Sequence, residues 1–195
     1  MTTTTLFPTH LGIYDVKNSE ALNQELLNID GLASNKFSFR NYIDLWQYKD
    51  QHHCLQILYE ALLENAVKYA NDCYGLDYRS EYFTVLEGWA TSSVNRTIGQ
   101  NRLHNHRLTD LAAVYYVNVS DDTGDIEFFD PRGGLGFLSL NSAKAYNVHA
   151  HRPKAGQMIL FPGWLLHQVQ PNNTNLNRVV IATNIKLNDD VRYKI

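Results

Sequence analysis

The sequence has few of the features that mark disulfide-rich, membrane-spanning or nucleic-acid-binding proteins. Its only cysteines, Cys54 and Cys73, stand too far apart for a CxxC zinc motif, and we expect both to be reduced thiols. The longest apolar run, residues 111–117, is far shorter than the roughly 20 residues that cross a bilayer. The start of the chain has neither the basic nor the apolar stretch of a secretory signal, so a cytoplasmic protein is expected.

Charge is also scarce. Charged residues make up 19% of the chain and the net charge is −3, whereas soluble domains average about 25% charged residues. Because no basic excess is present to attract nucleic acid or an anionic membrane, neither is expected as a partner. Hydrophobic residues make up 44% of the chain and aromatic residues 12%. This composition predicts a folded domain with a substantial core.

Two helices are predicted in the first part of the chain. Residues 19–30 place apolar side chains on one face and end at Gly31, and residues 51–71 form a stronger helix that Gly75 can terminate. The buried stripe of this second helix is expected to be Leu55, Leu58, Leu62, Ala66 and Tyr69.

After Gly75 the spacing of apolar residues changes from a period of 3.6 to a period of two. Strands are predicted over residues 82–91, 111–119, 125–129, 145–150, 157–161 and 178–187. No helix-length apolar pattern separates them, which favours antiparallel sheets of jelly-roll type over a parallel sheet. We therefore predict an α+β, mainly β fold with the N-terminal helices packed on one sheet. One domain is expected over residues 1–195, with helical support in 1–75 and the β core, carrying the site, in 76–195.

The strand-rich part contains a cluster of histidines with metal-ligand spacing. His104 and His106 are two residues apart, so in an extended segment both rings lie on one face, about 7 Å apart at Cα. Asp110 follows four residues later and can supply a carboxylate, and His167 comes directly after a predicted strand. Two histidines with a third ligand from a distant strand are typical of mononuclear iron oxygenases. The alternative is a surface or hydrogen-bonded histidine pair.

Arg178 begins an apolar strand eleven residues after His167. A guanidinium at the start of an inward-facing strand needs an anionic partner, because an unpaired buried charge is costly. One interpretation is a strand-end arginine paired with a surface acid. The other is a bidentate clamp for a small dicarboxylate.

These motifs carry a resemblance to a known family. The sequence resembles the 2-oxoglutarate- and Fe(II)-dependent oxygenases, in particular a branch of small oxygenases with an HxH…H motif. The matching blocks are residues 6–9, 21–23, 88–89, 104–106, 111–117, 128–132, 156–162, 167 and 178–184. The resemblance implies a double-stranded β-helix, as in cupins, with Fe(II), 2-oxoglutarate as cosubstrate, and O2. It also implies an oxidoreductase, a hydroxylase that acts on a C–H bond of a small-molecule or peptide-like substrate and releases succinate and CO2.

Site residues follow from the resemblance position by position. His104 and His167 correspond to metal ligands, and the residue two after the first histidine, usually acidic in the superfamily, is His106 here. The third ligand is therefore expected to be His106, with Asp110 as the alternative. Arg178 is expected to bind the C5 carboxylate of 2-oxoglutarate.

Tyr116 is expected to assist Arg178. The superfamily often has a serine or threonine two residues after this arginine, where the present sequence has Val180, so one hydrogen bond would be missing.

Two other classes fit the pattern. The spacing of His104, His106, Asp110 and His167 also resembles the two cupin motifs, and cupins bind metal without a cosubstrate. They include dioxygenases, isomerases and binding proteins. Arg178 discriminates, because a cupin does not need it to face the metal. A jelly-roll interaction module that has lost its metal is the third class, and a homodimer is a candidate assembly for the chain.

The remaining candidate residues have simpler interpretations. His52 and His53 are expected at a solvated helix start, and Trp89 and Trp164 in the core or a pocket wall. A solvent-facing strand edge is expected for His149 and His151, with a flank of the substrate pocket as the alternative. Asp130 and Arg132 are expected in a turn, with Arg132 as a candidate substrate contact.

Overall fold

The computed structural model describes residues 2, 4, 7–75, 77–94, 102–132 and 147–188. Within these ranges the helices are α1 (Ser19–Leu27) and α2 (His53–Tyr74). The strands are β1 (Gly12–Asp15), β2 (Phe83–Ser93), β3 (Leu111–Asn118), β4 (Ile126–Phe129), β5 (Val148–His151), β6 (Gln157–Pro162), β7 (His167–Val169) and β8 (Arg178–Leu187). Short 3₁₀-helices lie at Leu32–Ser34, Phe39–Asn41, Leu45–Gln51 and Ser80–Tyr82.

The strands form two antiparallel sheets. The larger sheet has the order β1-β6-β3-β8-β2, and the smaller has the order β5-β4-β7. Each strand pair within them is antiparallel. The prediction of a mainly β fold with antiparallel sheets is therefore confirmed.

Two short strands were not predicted from the sequence. β1 has four residues and β7 has three, too few for an alternating pattern to show. β1 becomes a strand because it pairs with β6, with Gly12 opposite Leu160. Positions 145 and 146 of the predicted strand over 145–150 lie outside the described residues, and β5 occupies Val148–His151.

The helices follow the apolar pattern. The predicted stripe on α2 is buried, and Gly75 ends the helix with a φ of 68°, a left-handed conformation that glycine adopts at little cost. α1 ends at Leu27, not at residue 30 as predicted. After it the amide of Ile29 bonds to the carbonyl of Leu26, a tighter turn of 3₁₀ type, and Gly31 starts the next turn with a φ of 87°.

Alternation along the strands of the larger sheet divides the core in two. One cluster joins both helices to one face of this sheet, and the other fills the space between the two sheets. Tyr115 belongs to the first cluster and its neighbour Tyr116 to the second. On β8 the side chains of Val179 and Val180 separate in the same way. The N-terminal helices thus pack on one sheet, as predicted, and the opposite face of that sheet is turned toward the smaller one.

No helix in the described part of the chain has the length and apolarity needed to cross a membrane. Cys54 and Cys73 are free. Burial raises the pKa of both thiols, so both are protonated at neutral pH.

Candidate metal centre

Backbone hydrogen bonds bring the three predicted histidines together. His104 lies before β3 and forms an antiparallel bridge with His167 on β7, each amide donating to the other's carbonyl at 3.0 Å. The amide of His106 donates to the carbonyl of Gly163 at 2.8 Å. The HxH segment is therefore fixed along its backbone against the turn that leads into β7.

Gly163 makes this close approach possible. Its amide donates to the carbonyl of Asp110 at 2.9 Å, and a Cβ at this position would overlap the carbonyl oxygen of Thr109. A larger residue would push the turn away and break its bond to His106. The glycine is thus required by packing at the site.

The three imidazoles converge on one point. One ligand atom from each of His104, His106 and His167 lies within 4.8 Å of the others, and the Nε2 atoms of His106 and His167 are 3.3 Å apart. Nδ1 of His104 contacts the carbonyl of Arg102 at 2.6 Å, and Nδ1 of His167 contacts that of Leu165 at 2.9 Å. Because a carbonyl oxygen can only accept, these Nδ1 atoms carry the hydrogen and leave both Nε2 lone pairs available for a metal.

Burial keeps the imidazoles of His106 and His167 neutral. Burial, together with a smaller effect of the nearby His104, lowers the pKa of His106 to about 4. Burial also lowers the pKa of His167 to about 3, against an opposing effect of its bond to Leu165. Both rings are therefore neutral at pH 7, and neutral imidazole is the form that binds a metal.

A small interior cavity of about 30 Å³ connects the histidines to the two predicted cosubstrate residues. All three histidines line it, together with Tyr116 and Arg178. The alternation of β8 explains the position of Arg178, because it shares a strand face with Val180, which lies between the sheets. Tyr116 lies opposite Val180 on β3.

Arg178 and Tyr116 are both buried, with 1% and 2% of their surface exposed. Nη1 of Arg178 donates to the carbonyls of Thr123 at 3.0 Å and Gln170 at 3.3 Å, which hold the guanidinium in place. The Tyr116 hydroxyl has no hydrogen-bond partner among the described residues. Burial raises its pKa, and the guanidinium of Arg178 acts in the opposite direction.

A larger cavity of about 580 Å³ opens on the other side of the histidine pair. Phe39 and Trp89 form an aromatic wall, with ring centroids 5.4 Å apart. The Trp89 ring lies 5.9 Å from that of His106. The other lining residues are Glu87, Arg102, Leu103, His104, Asn105, Arg107 and Asn184.

Asp110 has a different role in the structure. Its Oδ2 accepts a hydrogen bond from the amide of Leu187 at 2.7 Å, and its amide donates to the carbonyl of Ile185 at 3.0 Å. The group of potential metal ligands found in the described ranges consists of His104, His106 and His167. Asp110 thus joins the segment before β3 to the end of β8.

Arg132 and Asp130 form the predicted turn. Nε and Nη2 of Arg132 donate to the two carboxylate oxygens of Asp130 at 2.9 and 2.7 Å. Together with His149 they line a third cavity, of about 410 Å³. His151 instead contacts Oε1 of Gln157 at 3.3 Å.

The start of α2 and Trp89 agree with the simpler interpretations, whereas Trp164 is not buried in the core as expected. His52 precedes the first turn of α2 and His53 begins it. Trp89 is a wall of both cavities beside the histidines, whereas Trp164 is 50% exposed.

Sequence reasoning did not identify Glu87 and Asn184, which lie beside His106. The signal for Asn184 is its spacing: it lies six residues after Arg178, so an even strand period places both on the same face. No comparable signal exists for Glu87, because a bulge between Val85 and Glu87 changes the pairing of β2 there.

Comparison with known proteins agrees with this site. A family model described as "Putative 2OG-Fe(II) oxygenase" matches residues 87–184, while no curated protein sequence matches the chain. The chain is similar in structure to a Pseudomonas putida prolyl-4-hydroxylase, at 16% identity and a TM-score of 0.58, over 92% of this chain and 89% of that one. It is also similar to HygX from Streptomyces hygroscopicus with nickel and 2-oxoglutarate bound, at 14% identity and a TM-score of 0.58, over 93% and 83%. A third similar structure is the non-heme alpha ketoglutarate dependent epimerase SnoN from nogalamycin biosynthesis, at 11% identity and a TM-score of 0.60, over 91% and 78%.

At these identities the solved structures show a shared fold, a mainly β architecture of jelly-roll type. Within it, the three histidines define a site that can hold a metal ion. The family match covers half of the chain, and the chain belongs to the 2OG-Fe(II) oxygenase family. The resemblance noted from the sequence is confirmed, and with it the predicted cofactors of an oxidoreductase that uses iron, 2-oxoglutarate and O2.

Proposed function

We propose that this protein hydroxylates a C–H bond of a small-molecule or peptide-like substrate, using Fe(II) held by His104, His106 and His167 and converting 2-oxoglutarate to succinate and CO2. The observation that carries the proposal is one interior cavity lined by the three histidines, Tyr116 and Arg178. Metal ligands at one side and a buried cation at the other match the two ends of 2-oxoglutarate.

The residues present fit both groups. Three imidazoles whose ligand nitrogens converge suit Fe(II), which accepts nitrogen ligands. The buried hydroxyl of Tyr116, which lacks a partner among the described residues, is a donor suited to a carboxylate. When bound, the iron supplies the oxidative chemistry of O2 that the side chains themselves lack.

Arg178 and Tyr116 would bind the distal carboxylate of 2-oxoglutarate. The guanidinium is held by the carbonyls of Thr123 and Gln170, so little side-chain entropy is lost when it pairs with an anion. Val180 has no hydroxyl to add a third bond. Because the cavity is smaller than 2-oxoglutarate, we expect its walls to move apart when the cosubstrate binds.

The larger cavity would bind the substrate. Its volume of about 580 Å³ lies within the range of small-molecule sites, about 300–1,000 Å³. Trp89 and Phe39 offer a flat apolar wall beside His106, while Glu87, Arg102 and Arg107 supply charges of both signs. This lining suits a substrate with an apolar body and polar groups.

The position of Arg178 favours this reading over a cupin that uses no cosubstrate. Such a cupin does not need an arginine in the metal cavity, whereas here Arg178 lines it. A non-enzymatic module is disfavoured by the retention of three converging histidines.

The test is anaerobic titration of 2-oxoglutarate into the Fe(II)-loaded protein, followed by the visible absorption that the bound chelate adds. A charge-assisted contact contributes about 1.5–3 kcal/mol, so Arg178→Ala should weaken 2-oxoglutarate binding roughly 10- to 150-fold. Arg178→Lys should recover part of the loss, since an ammonium cannot make two parallel bonds. Iron content should not change in either variant.

Arg152 offers a matched control, because it is an exposed arginine paired with Asp125. Arg152→Ala should titrate like the wild type. The cupin reading would be favoured if the wild type showed no absorption band, or if Arg178→Ala bound 2-oxoglutarate as tightly as the wild type.

A further inference from the structure

His106 is held differently from the other two histidines. Backbone carbonyls accept from Nδ1 of His104 and His167, but among the described residues no backbone carbonyl accepts from the ring of His106. Its Nε2 faces Nε2 of His167 at 3.3 Å, so Nδ1 points away from the convergence point. A metal-binding histidine usually donates its second N–H to an acceptor that fixes the tautomer and the ring orientation.

Asn184 provides such an acceptor. It lies on β8 with 7% of its surface exposed and lines the same cavity as His106. Its buried Oδ1 has no hydrogen-bond partner of good geometry in the described part of the chain. The Asn184 side chain also opposes the larger lowering effect of burial on the pKa of the His106 ring.

Glu87 fixes the orientation of the Asn184 amide. Nδ2 of Asn184 donates to Oε1 of Glu87 at 2.9 Å, which leaves Oδ1 of Asn184 for the histidine. The two residues are register partners across β2 and β8, and the bulge between Val85 and Glu87 lies directly before them. Bulges redirect side chains next to functional sites, and this one gives Glu87 its place opposite Asn184.

We propose that Glu87 and Asn184 are a positioning pair, in which Glu87 orients the Asn184 amide so that its oxygen accepts the Nδ1–H of His106 and Nε2 faces the metal. The inference rests on the proposed metal site. Three imidazoles bring no charge to a metal, and Glu87 supplies a negative charge two hydrogen bonds away. That charge makes His106 a stronger electron donor, as a carboxylate does behind a metal-bound histidine.

The first measurement is metal affinity in the absence of turnover. Zn(II) and Co(II) are titrated into the metal-free protein against a chelator of known affinity. Loss of a residue behind a metal ligand typically weakens binding about 10- to 100-fold, and we expect this for Asn184→Ala. Glu87→Gln keeps an acceptor for Asn184 and removes only the charge, so a smaller loss is expected.

The second measurement is spectroscopic. In ¹⁵N NMR spectra of the Zn(II)-loaded protein, assigned with His106→Gln, the wild type should show His106 with the hydrogen on Nδ1 and the metal on Nε2. Asn184→Ala should lose the protected Nδ1–H signal, because its hydrogen then exchanges with water. A purely structural role of Asn184 would not change this signal selectively.

A charge swap gives the sharpest result. In the double variant Glu87→Gln with Asn184→Asp, the amide and the carboxylate exchange places, so a carboxylate on β8 accepts from His106 directly. We expect the double variant to recover the Zn(II) affinity that Asn184→Ala loses.

The matched control is another carboxylate–amide pair among the described residues, Glu127 and Gln168. Oε2 of Glu127 accepts from Nε2 of Gln168 at 2.6 Å, and these residues do not line either cavity beside the histidines. Glu127→Gln should bind Zn(II) like the wild type. If Asn184→Ala does not fold, Glu87→Gln and the swap still decide the question, since both retain the size of the native side chains.

The outcomes separate two failures. A wild-type protein that binds neither Zn(II) nor Co(II) contradicts the metal site itself. If the wild type binds metal, but Asn184→Ala or Glu87→Gln keeps the wild-type Zn(II) affinity and the wild-type His106 signal, only the positioning pair is overturned. A swap variant as weak as Asn184→Ala also overturns it.

Discussion

Tyr115 and Tyr116 allow the proposed cosubstrate contact to be separated from a folding contact. The two residues are adjacent on β3 and each is 2% exposed, but their hydroxyls lie on opposite faces of the larger sheet. The Tyr115 hydroxyl donates to Oδ1 of Asn23 at 2.6 Å. The Tyr116 hydroxyl has no partner among the described residues and lies in the cavity shared with Arg178.

Replacing each tyrosine with phenylalanine should therefore have opposite effects. Tyr116→Phe removes a buried polar group that makes no bond, and an unsatisfied group of this kind costs about 1–3 kcal/mol. Its free energy of unfolding should be equal to or higher than that of the wild type. Tyr115→Phe breaks a made bond and leaves Asn23 unsatisfied, so about 1 kcal/mol or more is lost. For a chain of this size each kcal/mol changes Tm by about 2–4 °C.

For 2-oxoglutarate binding, Tyr116→Phe should be the more damaging of the two substitutions. A hydrogen bond contributes about 0.5–1.5 kcal/mol, so Tyr116→Phe should weaken 2-oxoglutarate binding by roughly 2- to 13-fold. Tyr115→Phe should bind like the wild type. The assays are thermal unfolding of the metal-free protein and anaerobic titration of the Fe(II)-loaded protein. Equal loss of stability in both variants, with unchanged binding in Tyr116→Phe, would refute the assignment of Tyr116 to the cosubstrate.

Three further predictions concern the metal centre. His104→Ala and His167→Ala should each abolish the binding of about one Fe(II) per chain, measured as metal content of the folded variants; retained iron would exclude the ligand assignment. Asp110→Ala should keep its iron but lose about 1–3 kcal/mol of stability, because the amide of Leu187 loses its acceptor. Loss of iron from a folded Asp110→Asn variant would instead show that Asp110 is a ligand. The metal-free protein should lose stability as the pH falls from 6.5 toward 4. The pKa values of His106 and His167 are lowered in the folded state, so in this pH range the unfolded chain binds more protons at these two rings. A Tm that stays constant across this range would contradict the burial of both rings in the neutral form.

Local patterns in the sequence predict the parts of the fold that local physics determines. The apolar stripe of α2 and the glycine that ends it follow from helical spacing, and both are found. The alternation of β3 and β8 likewise places Tyr116 and Arg178 on one face. β1 and β7 are not predictable in this way, since they are strands only because distant segments pair with them.

The candidate site likewise contains residues that local patterns predict and residues that only tertiary contacts place. The histidines were recognisable because a two-residue spacing restricts both rings to one side, and Arg178 because a buried charge requires an explanation. That His106 and not Asp110 lies in the cluster depends on the tertiary contact of Asp110 with Leu187, which no local pattern contains. The place of Glu87 depends on a bulge in β2 and is likewise a property of the folded sheet.

We expect the chain to consume 2-oxoglutarate at the centre formed by His104, His106 and His167. The most direct measurement is succinate formed from 2-oxoglutarate by the Fe(II)-loaded wild type under air, with His104→Ala and Arg178→Ala in parallel. We predict succinate from the wild type, in amounts that depend on both Fe(II) and O2, and none above background from His104→Ala. Arg178→Ala should require a higher concentration of 2-oxoglutarate. A wild type that retains its iron but leaves 2-oxoglutarate unconverted across a broad panel of candidate substrates would contradict the proposed function.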